Sequence, residues 1–121
     1  MDPTGASFEL EQIGATVVAS VTRDLGEFDF PRIEAEANEA LDKRDESRAR
    51  NLLIDFHRSE YFGSSVLGLL LKLRKQVAGC QGRMVLCGIS EHQMAVLRAT
   101  RLDGMWPIFA TRAEALEAIS A

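Results

Sequence analysis

The sequence predicts an α/β fold: a mixed, mostly parallel sheet of four to five strands packed with about four helices. Three observations predict it. Two strand-like segments open the chain, and strand-like and helix-like stretches then alternate, giving the order β-β-α-β-α-β-α-β-α. The run Asn51-Leu52-Leu53-Ile54-Asp55-Phe56 is short and nearly all apolar, as a strand buried on both faces should be. Two capping boxes, Ser90 with Gln93 and Thr111 with Glu114, mark the starts of two helices.

The elements follow in order. Phe8-Glu9-Leu10-Glu11-Gln12-Ile13 alternates apolar and polar residues, the pattern of a half-exposed strand. Gly14 breaks the run, and Ala15 to Val21 resumes it with β-branched residues, so the two pair as a hairpin at a sheet edge. Asp24-Leu25-Gly26 and Phe28-Asp29-Phe30-Pro31 form a loop. Ile33, Ala37, Ala40 and Leu41 then recur at helical spacing. The run from Asp42 to Arg48 mixes both charge signs without an apolar face and reads as a solvated helix end and loop.

After the apolar strand, His57-Arg58-Ser59-Glu60 is a polar stretch leading to Tyr61-Phe62-Gly63-Ser64-Ser65. Val66, Leu70, Leu73 and Val77 place a helical stripe behind it, with Leu67 and Leu71 alongside. Lys72, Arg74 and Lys75 fall late in this helix, where cations complement its dipole, and Gly79 is the expected C-cap. Arg83 to Gly88 is the next strand. A helix follows from Glu91 to Thr100, ended by Asp103-Gly104. Trp106-Pro107-Ile108-Phe109 forms a short last strand, placed at the sheet edge by its proline. The closing helix carries Ala115, Leu116 and Ile119. The expected core is Leu53, Val66, Leu70, Leu73, Val85, Leu86, Leu97 and Leu116, with Phe62 inside and Tyr61 at the rim.

Composition narrows the function. The 121 residues are 46% hydrophobic and 26% charged, which suits one globular domain spanning 1–121. A net charge of −4 and pI near 5.2 argue against nucleic-acid binding. The longest apolar stretch, Val66 to Leu71, is far short of a membrane span, and no signal peptide is visible, so the expected location is cytoplasmic. Cys80 and Cys87 read as half-buried free thiols of a reducing compartment rather than a disulfide.

Catalytic patterns are missing. His57 and His92 are the two histidines, and neither has Cys or His at metal-ligand spacing; both read as surface or capping-region residues. Gly63-Ser64-Ser65 is neither a phosphate loop with its lysine nor a nucleophile elbow. No enzyme, metal or cofactor is expected.

One segment is informative. A buried strand ends in Asp55, a short loop follows, and Gly63-Ser64-Ser65-Val66-Leu67-Gly68 opens an apolar helix. This resembles the STAS domain shared by sulphate-transporter tails and bacterial anti-sigma factor antagonists, whose loop usually reads Asp-Ser-Ser-Gly or Asp-Thr-Ser-Gly. Gly82 to Gly88, Ser90 to Gly104 and Ile108 to Leu116 resemble the family's later strand, helix, and closing strand and helix. The chain departs from the pattern at Gly63, where an aspartate is usual, and at Val66, where a glycine is usual.

The resemblance implies a STAS fold and a non-enzymatic regulatory module. It implies a partner that is an anti-sigma factor and serine kinase of the GHKL ATPase type, without nucleic acid or membrane, and a monomer or weak dimer. It puts the phosphorylated hydroxyl at Ser65 and the partner surface at Tyr61, Gly63, Ser64, Ser65 and Val66. From the residues themselves, Ser64 also suits an N-cap, with Ser65 a small residue in the first turn and Gly63 a loop residue with positive φ. Two further readings stay open: a constitutive scaffold or transport-complex subunit without a phosphoswitch, and a small nucleotide- or ligand-binding protein.

Overall fold

In the computed structural model, the residues described are 8–24, 35, 50–79 and 81–120. Five strands, β1 (Phe8–Ile13), β2 (Thr16–Val21), β3 (Asn51–Asp55), β4 (Met84–Cys87) and β5 (Ile108–Phe109), form one sheet in that spatial order. Among the described residues, three helices with both ends defined accompany them: α1 (Ser64–Gly79), α2 (Glu91–Ala99) and α3 (Arg112–Ser120). The helix expected over Ile33 to Leu41 lies outside the described residues, apart from Ala35, which is helical. The charged run Asp42 to Arg48 lies outside them too.

β1 and β2 are antiparallel, closed by a two-residue turn whose first residue, Gly14, has φ +58°. A positive φ there matches the right-handed twist of a hairpin and suits glycine. The other pairs are all parallel, so the connections after β3 and β4 return over the sheet through α1 and α2. β5 is the far edge, and Pro107 stands just before it, accepting a bond from Leu86 N–H at 3.0 Å.

Strand alternation sorts the core into two layers. Val17, Ala19, Leu52, Ile54, Met84 and Leu86 face α1 and α2, meeting Val66, Leu70, Leu73, Val77 and Leu97. Val18, Leu53, Val85 and Cys87 face the other way and meet Ala115 and Ile119 of α3. Seven of the eight expected core residues are buried; Leu116 is only partly so, packing against this second layer. β1 lies outside both layers: Leu10 and Ile13 are exposed, and Phe8 alone of its apolar residues packs on the core. Its alternation therefore marks a strand without a covered face.

Both capping boxes form. Ser90 Oγ accepts from Gln93 N–H while Gln93 Oε1 accepts from Ser90 N–H, and Thr111 and Glu114 exchange the same pair. The C-terminal signals differ from expectation. α1 includes Gly79, and the left-handed residue is Gln81 (φ 61°), with Gly82 N–H returning to Val77 O and Gln81 N–H to Ala78 O. Arg101 (φ 61°) does the same after α2, ahead of Asp103-Gly104. Both are Schellman turns, whose two bonds satisfy helix-end carbonyls. Gly82 is needed for a different reason: a β-carbon there would lie 1.8 Å from Arg50 O. Because α1 extends to Gly79, its last turn carries no basic residue, and Lys72, Arg74 and Lys75 sit before it.

Candidate partner-binding site

The loop between β3 and α1 leaves the sheet at its strand C-terminal end. Phe56 and Phe62 anchor its two ends in the core, their rings packed edge-to-face at 5.5 Å. Between them the chain must satisfy its backbone groups, and three polar residues from other elements help do so. Asp24 Oδ1 accepts from Glu60 N–H (2.8 Å), Tyr61 N–H (3.1 Å) and Ser59 Oγ (3.3 Å). Ser90 Oγ donates to Glu60 O at 2.7 Å. Gln93, fully buried, donates from Nε2 to Ser59 Oγ at 3.0 Å.

The Glu60 N–H is the main reason the Asp24 carboxyl lies below its ordinary value. Partial burial opposes it, and the Tyr61 N–H and Ser59 hydroxyl add to it. A charged acceptor strengthens these bonds, so an exposed aspartate gives the loop a fixed shape.

This shape presents the expected residues unequally. Tyr61 is 47% exposed at the rim, with its ring 5.2 Å from that of His92 on α2. Gly63 is buried, and Val66 is a core residue at 1% exposure. Its β-branched side chain lies in the core beneath the helix rather than on the exposed face. α1 opens at Ser64, so Ser64 and Ser65 are its first two residues. The Ser64 cap is thus corrected by one position. Gly63 flanks the helix, its carbonyl accepting from Val66 N–H at 3.1 Å. Positive φ falls at Gly14 and Gly88 among the described glycines, not at Gly63.

Beyond the serines, Gly68, Leu71, Lys72 and Lys75 are exposed at helical spacing. α1 contains no acidic residue, in a chain with net charge −4. Positions 64, 68, 71, 72 and 75 share one face of α1, so this stripe continues from the helix start.

A second polar cluster lies on the sheet face that carries α3. Ser20, Asp55 and Cys87 are register partners on β2, β3 and β4. Asp55, 2% exposed, accepts from His57 N–H (2.9 Å) and Arg112 Nε (3.0 Å), and its Oδ1 lies 2.8 Å from His57 Nδ1. Arg112 also bonds Ser20 Oγ and lies 3.5 Å from Glu11. Burial disfavours the Asp55 charge, but the His57 and Arg112 bonds outweigh it and hold the carboxyl below its ordinary value. Gly88 makes room: with φ +69°, a side chain there would meet His57 N at 2.8 Å.

Burial, then the adjacent Asp55 carboxylate, pushes the Cys87 thiol up to about 12. It is fully buried rather than half-buried, stays protonated at neutral pH and is a poor nucleophile. Cys80 lies outside the described residues. Among the described residues no group of three or more His, Cys, Asp or Glu side chains is placed to hold a metal ion. No helix among them is long and apolar enough to cross a membrane.

Asp24, Ser59 and Arg112 are the positioning residues that sequence patterns did not single out. Gln93 was legible as a helix cap, but its second bond to Ser59 spans 34 residues and has no local signature.

Comparison with known proteins fits this geometry. The STAS domain model matches residues 7–115, and the chain belongs to the STAS domain family. It is 25% identical over 109 residues to BtrV of Bordetella bronchiseptica, named for anti-sigma factor antagonism, covering 90% of each chain. An anti-sigma-factor antagonist (STAS) domain protein from Planctomyces limnophilus superposes with TM-score 0.83 at 30% identity, covering 96% of this chain and all of the other. The Bacillus cell fate determinant SpoIIAA, in its phosphorylated form, gives TM-score 0.68 at 26% identity over 93% of this chain and 98% of that one. The chain is thus an anti-sigma factor antagonist-like STAS domain.

Proposed function

We propose that this chain is a cytoplasmic, non-enzymatic regulatory module that captures an anti-sigma factor and is released from it by phosphorylation of Ser65. The observation that carries the proposal is the clamped loop. Asp24, Ser59, Ser90 and Gln93 hold the segment from Phe56 to Gly63 so that exposed Tyr61 and the start of α1 form one surface. A preformed surface binds without the cost of ordering its loop.

The helix start also suits a phosphoserine. The first N–H groups of an α-helix lack partners within it, and the helix dipole favours an anion there. No carboxylate occupies the first turn of α1. A phosphate on Ser65 would place nearly two negative charges on the surface a partner approaches. That a relative, SpoIIAA, has been solved both unphosphorylated and phosphorylated supports the reading. Since Ser64 and Ser65 both lie in the first turn, the choice of Ser65 rests on its register with the family's second hydroxyl residue.

The test begins with the kinase that co-purifies with the tagged chain. Incubation with that kinase and ATP should add one phosphate to the wild type and to Ser64→Ala, and none to Ser65→Ala, by intact-mass spectrometry. Ser65→Glu should weaken capture, whereas Glu117→Ala on distant α3 should not. Phosphate on Ser64 would move the switch by one residue. No phosphate on either serine would favour the constitutive scaffold, which Gly63 in place of the usual aspartate also suits.

A further inference from the structure

A cavity of about 370 Å³ lies at the opposite end of the sheet, between the last turns of α1, the start of β4 and the C-terminal half of α3. Its size is at the lower end of small-ligand sites, which span about 300–1,000 Å³. The Val77 it shares with α1 is 13 residues from Ser64, about 20 Å along the helix axis. This is a separate place from the surface described above.

The lining is ordered by burial. Val77, Met84 and Trp106 from one core layer and Val85 and Ile119 from the other are buried and give the cavity an apolar floor where the layers meet. Arg74 and Arg83 are exposed and stand at the mouth. Arg74 Nε donates to Met105 O at 3.2 Å, which fixes its guanidinium beside the opening. No carboxylate is among the lining residues described. Trp106 adds a polar oddity: its indole Nε1 is buried without an acceptor among the described residues.

We propose that this cavity binds a small amphipathic carboxylate, with its hydrocarbon body on the apolar floor and its carboxylate at the arginines. Arginine suits the head group because its planar fork matches a carboxylate with two parallel bonds. An alcohol of equal length would fill the floor and forgo the charge. An alkylammonium would meet two like charges at the mouth.

The molecule carries its own reporter, because Trp106 is the single tryptophan of the chain. The full chain should be titrated with octanoate, octanol and octylammonium, below their aggregation limits, while Trp106 fluorescence is followed. Octanoate should give a saturable change, octanol should bind about tenfold more weakly, and octylammonium should give none. Arg74→Gln and Arg83→Gln should each bring octanoate toward octanol. Ala118→Phe, which fills the cavity from α3, should remove the response to both. Methyl NMR of the wild type checks the location without a variant: shifts should concentrate on Val77, Val85 and Ile119. Equal affinity for octanoate and octanol would overturn the carboxylate assignment. No saturable change with any probe, or shifts elsewhere, would overturn the site.

Discussion

Asp24 and Asp55 use the same chemistry in two regions for different ends. Each is a carboxylate at or beyond the C-terminal end of a strand, each accepts backbone N–H bonds from the β3–α1 loop, and each is held below its ordinary pKa. Asp55 is buried and joins elements: the register row Ser20–Asp55–Cys87, the loop at His57 and the first residue of α3. Asp24 is exposed and joins nothing large; it shapes three residues of loop, Ser59, Glu60 and Tyr61. The difference teaches that the exposed carboxylate, expected to contribute less to stability, is the one that shapes the proposed partner surface.

The largest way to break the comparison is Asp55→Ala. It takes the buried carboxylate from Arg112, which is 35% exposed and keeps Ser20 and Glu11 as neighbours, and removes the bonds to His57. Breaking a fully buried ion pair costs about 3–5 kcal/mol, and the partial exposure of Arg112 brings the expectation to about 3 kcal/mol. Urea denaturation should show it, with the midpoint lowered and the slope unchanged. A loss below that of Asp24→Ala would invert the ranking.

Ser59→Ala comes next. The hydroxyl lies 3.3 Å from Asp24 and 3.1 Å from Tyr61 O, yet it has one hydrogen and can donate to only one of them at a time. Its other task is to accept from buried Gln93. Removing it leaves that amide unpaired, at about 1–3 kcal/mol, and loosens α2 from the loop. Asp24→Ala should cost less, on the order of 1 kcal/mol, because its site is open to water. Its signature is local: the Glu60 and Tyr61 amides should exchange with solvent faster, while those of β3 and β4 keep their protection. Ser65 phosphorylation by the co-purified kinase should slow in Asp24→Ala more than in Asp55→Ala at equal folded fraction.

The contrast also explains what was legible in the sequence. Strand and helix periods exposed the alternation, and buried β3 announced itself as a continuous apolar run. The capping boxes at Ser90 and Thr111 are local patterns, and both form. What stayed hidden depends on distant pairing. Asp24 reads as an ordinary loop residue because its partners are 35 to 37 positions away. Nothing local marks Arg112, because its tie to Asp55 crosses 57 residues. Helix ends were misread for another reason. Gln81 and Arg101 adopt a conformation that glycine favours, because the two Schellman bonds and the packing beneath them decide the backbone there. The serines at the start of α1 were legible through family register, whereas the loop that presents them was not.

The smallest effect, and the sharpest discriminator, is Asp24→Asn read against pH. The amide keeps an oxygen that can accept the Glu60 and Tyr61 N–H groups but loses the charge that strengthens those bonds. At neutral pH the expected cost is about 0.5 kcal/mol, small because the site is exposed and screened. In the wild type both carboxyls have folded pKa values below the reference 3.8. Such a group contributes stability that is complete above the unfolded pKa and is lost as pH falls through the folded value. Stability attributable to these two groups should therefore be flat at neutral pH and fall in acid, below about pH 3.8. Asp24→Asn should keep most of that fall, because Asp55 remains, but should lose the acid-dependent rise in Glu60 and Tyr61 amide exchange. If the variant instead removed most of the acid slope in global stability, Asp24 would be the structural carboxylate and the division between the two regions would be reversed.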